Sequence, residues 1–391
     1  MARTFVVNEA EGTRFPFLRG ILTRSLQEAG LPFEVAYGLA SDVRDELRET
    51  AEISTDDLQD RVLPRIEAHG PEVVERYLRP LAPTSVLIRY HGGHLSPFSR
   101  GRHRLGLASC GLSGEEAMMA STRIFDDLIA RGEPEISSTA LRHLTHRHLV
   151  NELGGAAAKK YLVWQEFKRS HRPLVIVIGG GVGSGKSTVA AGIAHRLEIV
   201  RIQSTDMLRE VMRVMIPTRL LPVLHSSSFN AWRELPATEG EGRDQGAALV
   251  AGYLTQADLV SVACEAVIRR ALRERVSLIL EGVHAHPKLL PDLPEEGDAI
   301  VVRLMLGVLK KSVLRGRIKG RGKKEPDRRA KRYLTHFDDI WNLQAFMLSE
   351  ADELQVPIVS NEDLDDTVLH VMDIIMEKLT SEFSGTPDEV F

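Results

Sequence analysis

Cysteine is nearly missing from these 391 residues: only Cys110 and Cys264 occur, far apart and with no neighbour at metal-ligand spacing. That argues against a disulfide framework or a zinc site. Charge of one sign is also scarce. The net charge is −4, so nothing global marks DNA, RNA or an acidic membrane as partner. Long apolar runs are missing too. The most apolar stretch, Leu174 to Ile178, is far too short to cross a bilayer. The first fifteen residues carry Arg3, Glu9, Glu11 and Arg14 with no apolar run between them, so no signal peptide is visible. A cytoplasmic protein is expected, without a nucleic-acid or membrane partner. The composition is 43% hydrophobic and 27% charged, an ordinary globular balance, and the length suggests two or three domains.

What is present first is a repeat. Pro16-Phe17-Leu18-Arg19-Gly20 recurs as Pro97-Phe98-Ser99-Arg100-Gly101, and Ala29-Gly30-Leu31 as Cys110-Gly111-Leu112. Ile53-Ser54-Thr55 recurs as Ile136-Ser137-Ser138, and Arg76-Tyr77-Leu78 as Lys160-Tyr161-Leu162. The offset drifts only from 81 to 84 residues, which marks two copies of one unit. Each copy opens with a short strand pair and continues into amphipathic helices. Val35, Leu39, Val43 and Leu47 define one helical face in the first copy; Ala117, Ile124, Leu128 and Ile129 define the other. Ser54 and Ser137 lie where the next helices need N-caps. The second copy's helix runs through Trp164 and Lys168 and stops before Pro173. Strand candidates then alternate with helix-period segments: Leu174–Ile178, Ile199–Gln203, Ser277–Leu280, Ile300–Leu306 and Val356–Val359. That alternation predicts a parallel α/β sheet with helices on both faces. The expected division is 1–82, 83–171, 172–382 and a flexible polar tail at 383–391.

Gly180-Gly181-Val182-Gly183-Ser184-Gly185-Lys186-Ser187-Thr188 fits G-x-x-x-x-G-K-[ST], between an apolar strand and a helix-period segment. Glycines let successive N–H groups curl around phosphate oxygens, and the helix start adds positive potential. Lys186 would span the β- and γ-phosphates of ATP, and Ser187 would ligate Mg²⁺. Asp206 follows the next strand, at the carboxyl end where α/β sheets bind ligands. It is either the base that takes an acceptor's proton or a helix N-cap. Arg209 and Arg213 project from the same helix face and suit an anionic substrate. Glu281 ends the strand Ser277–Leu280, where it would serve the Mg²⁺ site through a bound water or orient the acceptor, and His284 follows in a loop, as a substrate contact or a solvated residue.

From Lys310 to Arg332 there are twelve Lys or Arg and two acids. The run is either a solvated basic helix or a lid that closes over the γ-phosphate, with Arg315 and Arg317 as candidate contacts. Leu221 to Trp232 is either an acceptor subdomain or an irregular connector.

The string Thr205 to Arg213, then Leu220-Leu221-Pro222-Val223-Leu224-His225-Ser226-Ser227-Ser228-Phe229-Asn230-Ala231-Trp232, resembles 2-phosphoglycerate kinase. So do Leu280 to His284, Arg332 to Phe337 and Val356 to Asn361. The resemblance covers most of 172–380 and implies an α/β P-loop kinase domain. It also implies ATP-dependent phosphorylation of the free hydroxyl of 2-phosphoglycerate, giving 2,3-bisphosphoglycerate. His225, Ser226, Ser227 and Trp232 become acceptor-site candidates by it. The N-terminal copies resemble ATP-cone domains, mainly helical modules, on the Pro16–Leu22 run. That implies a regulatory nucleotide at residues 1–168, an oligomer-forming role, or a scaffold without ligand. Two departures stand out. This chain has two modules, and in the second Arg89-Tyr90-His91-Gly92-Gly93-His94 replaces a leading hairpin, with Gly106 and Gly111 weakening the first helix. Trp341 stands after Ile340 where an arginine is expected. Alternatives kept open are another phosphorylated or carboxylated hydroxy acceptor and, from a different class, an RNA-linked P-loop ATPase using the basic run.

Overall fold

The computed structural model describes residues 4–8, 13–78, 86–236, 245–289, 299–321 and 328–391. The chain divides into two compact units, Met1–Val86 with Leu128–Pro134, and Leu87–Asp127 with Glu135–Phe391. In the first, β1 (Phe5–Asn8) and β2 (Thr13–Pro16) form an antiparallel hairpin. Helices α1 (Arg19–Glu28) and α2 (Phe33–Glu46) follow, then β3 (Glu52–Ser54), α3 (Thr55–Glu67) and α4 (Pro71–Leu78). β3 runs parallel to β1 and sets Ile53 beside Val6. Ser54 Oγ accepts the Asp57 N–H at 3.0 Å, the N-cap that starts α3. The buried stripe of α2 is Ala36, Ala40 and Val43, continuing to Leu47. The expected face of Val35, Leu39, Val43 and Leu47 is on this core, with Val35 and Leu39 half-buried at its edge, and Ala36 and Ala40 add to it beside α1.

The same order of elements recurs from residue 87: β4 (Leu87–Arg89), β5 (Leu95–Pro97), α5 (Arg100–Ala108), α6 (Gly114–Ala130), β6 (Glu135–Ser137), α7 (Ser138–Leu153) and α8 (Gly155–Ser170). Both small sheets have the hairpin's first strand in the middle. Residues 89–94 do not replace the leading hairpin but form its turn. Gly92 and Gly93 take φ of 121° and 78°, and the Tyr90 N–H bonds the His94 carbonyl at 3.0 Å. α5 forms through Gly106, and Gly111 lies beyond its end.

The remaining strands, β7 (Leu174–Gly180), β8 (Ile202–Ser204), β9 (Leu278–Gly282), β10 (Ile300–Gly307) and β11 (Ile358–Ser360), make one parallel sheet in the order β11-β10-β7-β9-β8. β8 starts three residues later than expected. Ile199 belongs instead to the end of the preceding helix, its N–H on the Ala194 carbonyl at 2.9 Å. The helices are α9 (Lys186–Leu197), α10 (Thr205–Met215), α11 (Pro222–His225), α12 (Gln245–Arg273), α13 (Lys311–Arg321), α14 (Arg328–Thr335), α15 (Phe337–Glu353), α16 (Leu364–Glu382) and α17 (Pro387–Val390).

β7 is buried along its whole length because helices cover both faces. Ile176 and Ile178 face Val189 and Ile193 of α9 and Val371 and Ile375 of α16. Val175 and Val177 face Val260, Cys264 and Ile268 of α12. Leu107, Cys110, Tyr161 and Trp164 of the second repeat belong to the first of these clusters, so that repeat and the sheet share one core. Among the described residues α12 is the one helix long and apolar enough to cross a membrane; its apolar stripe packs under the sheet instead.

Residues 383–391 are not the flexible tail expected. Phe391 sits edge-on to His143 at 4.9 Å between ring centres, Val390 is buried, and the Gly385 N–H bonds Glu166 Oε2 at 2.8 Å. Two large apolar side chains in the last two positions supply the burial that the polar residues before them could not.

Candidate active site

β7 ends in the middle of the sheet, between β10 and β9, and the chain turns from it directly into α9. A Cβ on Gly180 would stand 2.3 Å from the Leu306 carbonyl oxygen, and one on Gly185 (φ 88°) 2.3 Å from Asn361 Nδ2. Only glycine fits either place. The loop is held from behind by two buried amides. Asn361 Nδ2 donates to the Ser184 carbonyl at 2.7 Å. Gln344 closes on Val308, accepting its N–H at 3.1 Å and donating to its carbonyl at 2.9 Å. Lys186 Nζ donates to the Gly181 carbonyl at 2.8 Å, so the ammonium folds back over the loop. The Thr188 and Val189 amides bond the Gly185 carbonyl and begin α9. Val182 and Gly183 lie beside α13, whose Leu314 Cδ1 is 3.0 Å from where a Gly183 Cβ would be.

Ser187 Oγ donates to Glu281 Oε1 at 2.9 Å. Glu281 is buried at the end of β9, in register with Ile178 on one side and Ser204 on the other. This hydroxyl and carboxylate are the pair a hard dication needs from a protein when phosphates and water supply the rest. No cluster of three or more His, Cys, Asp or Glu side chains occurs among the described residues.

Asp206 lies in the first turn of α10, 61% exposed, with Oδ1 3.9 Å from both Arg209 Nε and His284 Nδ1. The N-cap position of α10 belongs to Ser204, so Asp206 is not the cap. His284 is not a solvated loop residue either: it is 1% exposed. Its Nδ1 accepts from the Thr205 hydroxyl at 3.1 Å, and its Nε2–H donates to Gln256 Oε1 at 3.0 Å. Burial pushes this imidazole down to about 4, with Arg209 and Lys186 acting in the same direction and Asp206 against them. The ring is therefore neutral at pH 7 and serves as a strut between β9 and α10.

Arg209 Nη1 donates to the Ser226 carbonyl at 2.6 Å and the Leu224 carbonyl at 3.3 Å. Arg213 pairs with Glu210 at 2.9 Å. His225 shares hydrogen bonds with the Ile216 carbonyl and the Thr218 hydroxyl, Ser226 Oγ donates to Glu234 at 2.9 Å, and the Ser227 carbonyl accepts the Asn230 N–H at 2.8 Å. Trp232 lies on α12: a Cβ on Gly252 would be 2.2 Å from the Trp232 nitrogen. Arg317 donates from Nη2 to the Glu362 carbonyl at 3.2 Å, with Nη1 3.7 Å from where a Gly185 Cβ would be. Arg315 instead lies over the Phe337 ring at 4.8 Å. Residues 322–327 of the basic run fall outside the described residues.

Three buried amides were given no role from the sequence: Gln256, Gln344 and Asn361. Gln256 is fully buried. Its Nε2 donates to the Val223 and Ser226 carbonyls while its Oε1 takes the His284 proton. One side chain thus ties the segment 222–232 to the turn after β9. The signal was available: Gln256 lies on the apolar stripe of α12 between Tyr253 and Val260, and Gln344 on that of α15 between Ile340 and Met347. A polar residue on a buried stripe must have partners.

A glycine-lined phosphate loop at a central parallel strand, with its serine on the carboxylate of the next strand, is the arrangement of a P-loop kinase domain. No family model matches the chain. The 2-phosphoglycerate kinase of Pyrococcus furiosus is 35% identical over 282 residues, covering 72% of this chain and 90% of that protein. Those of Methanocaldococcus jannaschii (34% over 295 residues; 75% and 93%) and Methanopyrus kandleri (32% over 284 residues; 72% and 85%) are similar in extent. Among solved structures, a gluconokinase from Sinorhizobium meliloti 1021 aligns with 54% of this chain and 98% of its own, at 18% identity and a TM-score of 0.30. The chain belongs to the 2-phosphoglycerate kinase family.

Replacing Gln256 with Leu keeps the volume and removes three hydrogen bonds among buried groups. The expected loss is about 2–4 kcal/mol, read as a lower urea midpoint, with amide exchange in 222–236 accelerated. An unchanged midpoint would contradict this role for Gln256.

Proposed function

We propose that the chain transfers the γ-phosphoryl group of ATP to the free hydroxyl of 2-phosphoglycerate, giving 2,3-bisphosphoglycerate and ADP. Family membership supports the class of reaction. The observation that carries the acceptor site is a set of buried polar atoms without a hydrogen-bond partner. Arg209 Nε, Arg213 Nε, Asn230 Oδ1 and Trp232 Nε1, all between α10 and the turn after α11, are among them. Such atoms are costly unless a ligand completes them, and three of the four are donors, the complement of a phosphate or carboxylate. Ser184 Oγ in the phosphate loop is another.

In this reading the backbone N–H groups of 180–188 and Lys186 hold the triphosphate. Ser187 and Glu281 hold Mg²⁺, which when bound supplies charge neutralisation at the phosphates. Asp206 takes the proton of the acceptor hydroxyl as its oxygen bonds phosphorus and the bond to the β-phosphate oxygen breaks. Arg209 keeps Nε for the acceptor while its other nitrogen fixes the 224–226 backbone. Arg317, rather than Arg315, is the basic-run cation at the phosphate loop, since Arg315 lies over Phe337. Lys311 Nζ lies over the Trp341 ring at 5.5 Å, so a cation remains at the place where an arginine was expected. An RNA-gripping role for the basic run finds no support, because Leu314 and Ile318 bury one side of α13 against the domain core. We place the enzyme in the cytoplasm, in keeping with its two buried free thiols.

We further propose that the first repeat holds a regulatory nucleotide, in keeping with its likeness to ATP-cone modules. It has a cleft of about 650 Å³ lined by Phe15, Phe17, Ile21, Arg76 and Tyr77, within the range of nucleotide-sized pockets. Equilibrium dialysis of Phe17→Ser against labelled ATP should show one equivalent fewer bound than wild type; equal stoichiometry removes this idea.

ADP release with MgATP should be strongly stimulated by 2-phosphoglycerate and not by 3-phosphoglycerate or glycerate. Asp206→Asn should lower kcat about 10²–10⁴-fold with ATP binding retained. Slow ATP hydrolysis unresponsive to 2-phosphoglycerate would overturn the acceptor assignment.

A further inference from the structure

The two repeats carry clefts in equivalent places, and the walls differ in chemistry. At the offsets of the repeat, Ile21 corresponds to Arg102, Leu22 to His103, Gln59 to Arg142 and Tyr77 to Tyr161. The first cleft has Ile21 and Leu22 of α1 in its wall, with Ser25 and Glu28 further along the helix and Arg76 from α4. The second, about 210 Å³, is lined by Arg102, His103, Arg142 and Lys168 together with Ser99 and Ser138. It is smaller than the range typical of drug-sized ligands. None of its three cations pairs with a carboxylate among the described residues. The N-cap of α5, Ser99, and the first residue of α7, Ser138, both border it, so two helix N-termini add positive potential.

His103 defines one further requirement. The Thr145 hydroxyl donates to the Leu141 carbonyl at 2.8 Å, so it accepts from His103 Nε2–H at 3.1 Å. Nδ1 is then a lone-pair acceptor, buried and without a partner. Burial pushes the ring down to about 4, which keeps that lone pair free at neutral pH. A hydroxyl, on carbon or on a protonated phosphate, supplies the proton that this lone pair accepts.

We propose that this second cleft is a binding site, separate from the phosphate loop, for a small phosphorylated hydroxy acid. Arg102, Arg142 and Lys168 take its phosphate and carboxylate, and His103 Nδ1 takes its hydroxyl. The small cleft favours a compact ligand over a nucleotide, and a phosphorylated hydroxy acid supplies both the anionic groups for the three cations and a hydroxyl for His103. The inference rests on the proposed acceptor only for the identity of the acid: 2-phosphoglycerate carries the required groups, so the enzyme would bind its own substrate at a second place.

The test is calorimetric titration of 2-phosphoglycerate into the full-length protein and into Arg102→Ala/Arg142→Ala, with inorganic phosphate and ATP as separate titrants. Wild type should take two equivalents and the double variant one, the second site weakening by roughly 100-fold from two lost charge-assisted contacts. Turnover at saturating substrate and the thermal midpoint should not change, and Arg102→Lys should keep most of the affinity. Two equivalents in both proteins, or one in both, overturns the proposal. Inorganic phosphate filling the cleft as tightly as 2-phosphoglycerate overturns the hydroxy-acid assignment. ATP displacing the second equivalent overturns the size argument. If 2-phosphoglycerate is not phosphorylated but one equivalent binds and is lost in the double variant, the cleft stands and the acceptor reading alone falls.

Discussion

The turn from Gly180 to Lys186 has to be made where there is no room for a side chain. The Leu306 carbonyl closes on it from β10 and the Asn361 amide from the end of β11. Much of the rest of the domain is arranged to keep that space tight. β7 lies at the centre of the sheet so that β10 and β9 can each present their last residues to the loop. Gln344 reaches it from α15, and Leu314 and Ile318 from α13. The result is a loop packed tightly by its neighbours, which lowers the cost of ordering it at the moment of binding.

The acceptor side is built on the opposite principle. The segment 216–232 has little regular structure: one four-residue helix, one 3₁₀ turn and a run of serines. Its carbonyls at Val223, Leu224 and Ser226 are fixed by side chains from elsewhere, Gln256 and Arg209. α12 acts as the platform, with Gly252 admitting the Trp232 backbone and Gln256 one turn further on. Through His284 and Thr205 the same network reaches the start of α10, and so positions Asp206. Phosphate loop and acceptor segment are therefore coupled through β9, whose last residues Glu281 and Gly282 lie between them.

Much of this was legible in the sequence. The phosphate loop, the acid ending β9 and the places of the five strands along the chain are local signals: a glycine pattern, an apolar run and a carboxylate after it. The repeat was legible for the same reason, since self-similarity needs no knowledge of contacts. What was not legible depends on partners far away in the chain. His284 was read as a substrate contact or a solvated residue, and its burial was missed because its partner Gln256 comes 28 positions earlier. Residues 383–391 read as loose because Glu166 and His143, which receive them, are more than 200 positions away. The α2 face was read at Val35, Leu39, Val43 and Leu47, but Ala36 and Ala40 were missed, because alanine carries too little apolar area to stand out in a periodic pattern.

The central claim is that the phosphoryl group leaving ATP arrives on the acceptor held by the 205–232 segment. The destination of the phosphorus is read most directly by ³¹P NMR of the protein with MgATP and 2-phosphoglycerate. Two new phosphomonoester resonances of equal intensity, growing in step with ADP while the 2-phosphoglycerate resonance declines, are the result expected. ADP accumulating alongside inorganic phosphate, with the 2-phosphoglycerate resonance unchanged, would contradict it.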